Sequence, residues 1–209
     1  LRSFDPRDHL QPTLEAISSV RSEVSHDSAV IGFAGAPFTL ASYLIEGGPT
    51  KNFGRVKSFM SNEPQAFLAL MTKLRDVSAR WLTAQAEAGA DALQLFDTWA
   101  GWLDPLTYEG LVLEHSKCVF DDLKHKGCPT IHFAVGAPHL IESLSQAGSD
   151  VLGVDWRLPI DEAWGRFSAE CAIQGNLDPT ALLGSEQHIR RAVRDVMQRV
   201  NGRPGHIFN

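Results

Sequence analysis

From residue 29 onward, short apolar runs alternate with longer stretches whose apolar positions recur every three or four residues. The runs read as buried strands and the stretches as amphipathic helices, and their regular alternation predicts an α/β fold. Six strands are expected, over 29–34, 92–96, 130–135, 151–155, 172–174 and 206–208. The clearest helical stripe is Phe67, Leu70, Leu74, Val77, Trp81 and Ala88, which keeps one apolar face for packing against a sheet.

Helix boundaries carry their own chemistry. Asp104-Pro105 and Asp178-Pro179 each place a capping carboxylate before a proline suited to the first helical position, and Leu158-Pro159 marks a start without the cap. Gly89, Gly127 and Gly148 stand where a left-handed residue would close a helix. Most strand starts lie roughly 20 to 40 residues apart, as parallel crossovers require. No linker-like stretch interrupts them, so residues 1–209 read as a single domain.

Six parallel strands fit either a doubly wound open sheet or part of a (β/α)8 TIM barrel, which needs about 250 residues. The open sheet usually announces a phosphate loop, and neither G-x-G-x-x-G nor G-x-x-x-x-G-K-[ST] occurs. The barrel is therefore preferred, with about six of its eight βα units present. A first residue other than Met, and an Asn209 that directly follows Ile207 and Phe208, suggest a fragment incomplete at both ends.

Composition narrows the function classes. With 19 Lys+Arg against 25 Asp+Glu, a formal charge of -6 and 44% apolar residues, the chain is ordinary globular protein. No basic cluster suits nucleic acid. No apolar run approaches the roughly 20 residues of a membrane-spanning helix. Cys118, Cys128 and Cys171 form no CxxC pair, so reduced thiols in a cytoplasmic protein are expected.

In a parallel barrel the working residues follow the strand ends. Here they are Gly32-Phe33-Ala34-Gly35-Ala36-Pro37-Phe38-Thr39 with Tyr43 and Glu46 beyond, then Phe96-Asp97-Thr98-Trp99-Ala100-Gly101-Trp102, Asp155-Trp156-Arg157 and Gln174-Gly175-Asn176-Leu177-Asp178-Pro179. Such polar-aromatic mixtures suit a pocket for a flat organic ligand. Plainer readings stand beside this one. Asp97 or Asp155 could cap a helix or pair with Arg157, Phe33 and Phe96 could be core, and Gly32 and Gly35 could serve a tight turn. His132 and His139, seven apart with no cysteine partner nearby, read as core or solvated histidines rather than metal ligands. Thr98 could donate a hydrogen bond but has no adjacent base to make it a nucleophile.

These blocks resemble the uroporphyrinogen decarboxylase family. Gly32-Phe33-Ala34-Gly35-Ala36-Pro37-Phe38-Thr39-Leu40-x-x-Tyr43-x-x-Glu46-Gly47-Gly48 reads through one family signature without a gap, and Phe96 to Gly101, Gly153 to Trp156 and Gln174 to Pro179 follow in the family's order. The resemblance implies a (β/α)8 barrel, usually a homodimer, that converts the four acetate side chains of uroporphyrinogen III to methyls in porphyrin biosynthesis. It implies no metal or cofactor. Carried over by position, Tyr43 and Thr98 bind substrate, Thr98 through a carboxylate, while Phe33 and Phe96 line the cleft. The family's Pro-x-Trp-x-Met-Arg-Gln-Ala-Gly-Arg signature, with its carboxylate-binding arginines, is absent, as is the aspartate that holds the pyrrole NH groups. His206 does not match the family's C-terminal active-site histidine. The catalytic residues are thus expected outside this sequence, and the 209-residue piece is expected not to turn over. Two alternatives remain: a noncatalytic tetrapyrrole-binding homologue, and a zinc-dependent corrinoid methyltransferase of the same superfamily. The second would need a thiolate where His132-Phe133-Ala134 has alanine.

Overall fold

The computed structural model describes residues 4–25, 27–48, 50, 52–168 and 170–209. Its strands are β1 (Ile31–Gly35), β2 (Ala92–Phe96), β3 (Thr130–Phe133), β4 (Val151–Gly153), β5 (Ala172–Gln174) and β6 (His206–Ile207). All neighbours are parallel, and the order in the sheet is the order in the chain. A doubly wound sheet would reverse its strand order at a switch point, whereas a barrel advances one strand at a time. The fold is accordingly α/β, with six successive units of the TIM-barrel pattern.

The helices are α1 (Pro6–His9), α2 (Gln11–Glu23), α3 (Pro37–Glu46), α4 (Gly54–Asn62), α5 (Pro64–Glu87), α6 (Pro105–Leu111), α7 (Leu113–Leu123), α8 (Ile141–Ser145), α9 (Ile160–Trp164) and α10 (Glu186–Val200). Asp104 caps α6 through the Thr107 N–H at 3.0 Å. Asp178 caps a short 3-10 turn over 179–183 rather than the long helix, which begins at Glu186 with Ser185 as its cap. Gly89, Gly127 and Gly148 all have positive φ, as expected. The long helix α5 presents Phe67, Met71, Leu74, Ser78, Leu82 and Gln85 to the interior, so its buried stripe is rotated from the expected one and contains two polar residues.

Those two serve the edge of the sheet. The Val30 carbonyl and Ala36 N–H point toward β2, so the backbone groups of Phe33 and Gly35 point the other way. Gln85 accepts from the Phe33 N–H at 3.0 Å and donates to its carbonyl at 2.9 Å, and Ser78 donates to the Gly35 carbonyl at 2.8 Å. Buried side chains of the crossover helix thus satisfy backbone groups that no strand meets among the described residues.

Register separates the two faces. Ala34, Leu93 and Leu95 pack with Ala79, Leu82, Val119 and Phe120 in the helical layer. The opposite parity faces the barrel interior: Phe33, Gln94, Ile131, Val151 and Ala172 form one row, and Gly35, Phe96, Phe133, Gly153, Gln174 and Ile207 the row above it. Gly153 is small because a Cβ there would lie 2.8 Å from the Phe133 ring.

Candidate functional site

The upper row and the loops after it form the mouth of the barrel. Phe33, Phe96 and Phe133 meet edge to face in sequence, with ring centroids 5.7 and 5.9 Å apart. Phe33 is 60% exposed, so it is an open apolar surface rather than core, and Phe96 is half-buried beside it. Gly32 does not make a turn either. It sits within β1, and a Cβ there would press on Gln85 and Ala90 at 3.0 and 3.2 Å, so the residue lets α5 approach the strand.

Helix α3 opens at Pro37, which needs no N–H in the first turn, and closes on left-handed Gly47. It carries Tyr43 to the mouth, where the phenol ring meets Trp99 edge-on at 5.8 Å. Trp99 directly follows Thr98, so the two candidate substrate-binding residues flank one aromatic contact. Neither side chain has a hydrogen-bond partner among the described residues, which leaves both hydroxyls available to a ligand. Phe53, which the sequence did not single out, packs on both Trp99 and Trp102 at 5.1 and 5.3 Å and backs this aromatic wall. Its left-handed φ of 54° at the entrance to α4 has no signal in the composition of that loop.

The acids at the strand ends behave differently from one another. Asp155 is buried and accepts from the Gly136 N–H at 2.6 Å and the Arg157 N–H at 3.0 Å, and it pairs with the Arg157 guanidinium at 2.5 Å. The guanidinium also stacks on Trp156 at 4.3 Å, so the pairing considered from sequence is present and fixes a half-exposed cation at the rim. Asn176 ties this loop together by donating to the Asp155 and Leu158 carbonyls at 2.9 and 2.7 Å.

Asp97 turns away from the mouth, into the layer between strands and helices. It is fully buried and caps no α-helix; its Oδ1 accepts from the Thr39 hydroxyl at 3.2 Å. His132, also fully buried, places Nε2 3.9 Å from Asp97 Oδ2 and packs against Phe120. Tyr108 completes the group; burial first, and then the Asp97 charge, push its phenol well above its ordinary value. The Tyr108 hydroxyl, both His132 nitrogens and Asp97 Oδ2 find no hydrogen-bond partner among the described residues. His132 therefore points into the helical layer rather than the mouth, and Ala134 beyond it offers no thiolate. Among the described residues no three His, Cys, Asp or Glu side chains converge as a metal site. No helix is long and apolar enough to cross a membrane among those residues.

Comparison with known proteins bears on the family and the fold. The uroporphyrinogen decarboxylase (URO-D) family pattern matches residues 1–209. Curated relatives named uroporphyrinogen decarboxylase include those of Carboxydothermus hydrogenoformans, 46% identical over 209 residues, and Sorangium cellulosum, 44% identical over 209 residues. Each match covers 100% of this chain and 60% of the relative, so the chain spans about three-fifths of their length. A solved methyltransferase from Methanosarcina mazei superposes with a TM-score of 0.78 over 94% of this chain and 57% of its own, at 18% identity, which shows a shared fold. On its matched pattern and its relatives, this chain belongs to the uroporphyrinogen decarboxylase family.

Proposed function

We propose that the protein is a cofactor-free carboxy-lyase that removes the acetate carboxyls of uroporphyrinogen III to give coproporphyrinogen III, and that residues 1–209 are one incomplete domain of it. The observation that carries this reading is the mouth itself. Phe33 and Phe96 offer an open apolar surface, while Tyr43 packs edge-on against Trp99, the residue after Thr98, and neither hydroxyl has a hydrogen-bond partner among the described residues. A flat macrocycle with ionised side chains needs both kinds of surface.

The chemistry asks little of a metal. Protonation of a pyrrole α-carbon makes the ring an electron acceptor. The bond between the acetate methylene and its carboxyl then breaks, its electron pair enters the ring, and carbon dioxide leaves. A proton added at the methylene carbon gives the methyl, and loss of the α-proton restores the pyrrole. The substrate is its own electron sink, and the protein must bind it, exclude water and favour the cationic ring. Tyr43 and Thr98 donate hydrogen bonds to substrate oxygens, Phe33 and Phe96 flank the macrocycle, and Arg157 offers a fixed cation for a peripheral carboxylate. The arginines and aspartate that the family resemblance implies belong to sequence outside these residues. A homodimer working in the cytoplasm completes the reading.

The test is anaerobic decarboxylation of uroporphyrinogen III by the full chain, with products separated by carboxyl number. Stepwise loss to the four-carboxyl product, slowed about tenfold or more by Tyr43→Phe and Thr98→Ala, is expected. A folded wild type that binds the macrocycle and releases no carbon dioxide would replace this reading with that of a binding protein.

A further inference from the structure

We propose that Asp97 is a positioning residue, which sets Tyr43 and Thr98 at their working separation by holding Thr39. Thr39 and Tyr43 are four residues apart and share one face of α3. Both meet the loop after β2. The Thr39 hydroxyl donates to Asp97 Oδ1 at 3.2 Å and accepts from the Trp99 N–H at 3.4 Å, while Tyr43 packs on the Trp99 ring. One hydroxyl therefore clamps helix and loop on either side of Thr98.

Asp97 is itself anchored: its N–H donates to the Phe133 carbonyl at 2.7 Å, and its carbonyl accepts from the Ala100 N–H at 3.1 Å. Thr39 is the sole hydrogen-bond donor to its carboxylate among the described residues. Removed from water, that carboxylate has a strong need of its donor, so the clamp is stiffer than an ordinary surface hydrogen bond. Charge around it is sparse. His132 on β3 approaches Oδ2 at 3.9 Å, and Tyr108 on α6 lies close enough to feel the negative charge. Full burial keeps Asp97 off the substrate, so its effect on binding passes through Thr39 and the loop.

The inference rests on the substrate reading above, and its test separates the two. In the full chain, Thr39→Val and Thr39→Ala should each raise KM for uroporphyrinogen III about tenfold with a smaller change in kcat, and Thr39→Ser should restore wild-type values. Asp97→Ala, which leaves the Trp99 N–H its bond to Thr39, should raise KM by no more than Thr39→Ala does, and the Asp97→Ala/Thr39→Ala double variant should lose no more than Thr39→Ala alone, because Thr39→Ala already removes the link to Asp97. Amide exchange over residues 97–103 in the substrate-free protein should quicken in the Thr39 variants without a general loosening of the fold. If Thr39→Val does not fold, Thr39→Ala leaves room for a water beside the carboxylate and carries the test. Unchanged local exchange in a folded Thr39 variant overturns the clamp, as does quickened exchange with unaltered KM or additive loss in the double variant. An inactive wild type would instead sink the substrate reading, with the exchange measurement still deciding the clamp.

Discussion

Replacing Gly101 by alanine is the most direct way to ask whether the mouth is packed as described. A Cβ built there would lie 2.4 Å from the Val135 carbonyl oxygen and 2.6 Å from that of Gly136, where ordinary contact begins at 3.4 Å. The obstacle is backbone, so no side chain can swing aside, and the loops after β2 and β3 must part by about 1 Å. Overpacking of this kind costs about 1 to 3 kcal/mol, and the absence of a flexible neighbour puts Gly101→Ala near the upper end. For a chain of this size that lowers Tm by about 5 to 10 °C. Gly110 is the matched control. It is an exposed position of α6 with nothing within 4 Å of its would-be Cβ, so alanine there gains about 0.5 to 1 kcal/mol from helix propensity alone. Thermal unfolding of the two variants beside wild type should move Tm in opposite directions. Steady-state kinetics should show the loss at Gly101→Ala, because the displaced loop carries Thr98 and the Gly136 N–H holds Asp155. Equal shifts for the two glycines, or an unchanged Tm for Gly101→Ala, would refute the packing.

Gln85→Leu keeps the volume of the buried side chain but strips the Phe33 N–H and carbonyl of their partners, so it should destabilise the chain by about 2 kcal/mol, read as a lower urea midpoint at unchanged slope. Tyr108→Phe removes a buried hydroxyl that lies beside Ser116 without a well-formed hydrogen bond, so stability near neutral pH should hold or rise. At high pH the sign is fixed by burial. Below the ordinary phenol value of 10.0 both states keep the proton, whereas above it the unfolded tyrosine ionises and the buried one does not, so the unfolded state gains. Wild type should therefore lose more stability than Tyr108→Phe between about pH 9 and 11, and parallel unfolding curves for the two proteins across that range would contradict the assignment.

The sheet was legible because its strands are short and mostly apolar, broken only by single polar residues such as Gln94 and His132, and all six stand where such runs occur. Their ends were less so. The expected strand over 151–155 stops at Gly153, because Asp155 turns to take the Gly136 and Arg157 amides. The expected helix at Asp178-Pro179 is a 3-10 turn, because Ser185 and Gly184 restart the chain six residues on. The rotated stripe of α5 was hidden for a different reason. Ser78 and Gln85 look like solvent residues when only apolar spacing is counted, yet they are buried because strand β1 has backbone groups that require them.

The same limit governs the site. Reading the first polar residues after each strand gathers Asp97 and Thr98 together, yet backbone parity sends adjacent residues to opposite sides. Thr98 stays half-buried in the loop, whereas Asp97 enters the helical layer and meets Thr39, His132 and Tyr108, which lie 58, 35 and 11 residues away in sequence. No spacing rule joins those four, since they come from α3, the end of β2, β3 and α6 and converge only when the crossovers fold. A signature that runs through Thr39 and Tyr43 and resumes at Phe96 to Gly101 is consistent with this arrangement. Its residues are of two kinds, those that present hydroxyls and rings to a ligand and those that hold the presenters still, and both kinds sit side by side in the same short blocks. The division of labour lies in which face of the strand each residue takes, a property of the fold that the sequence encodes only by alternation.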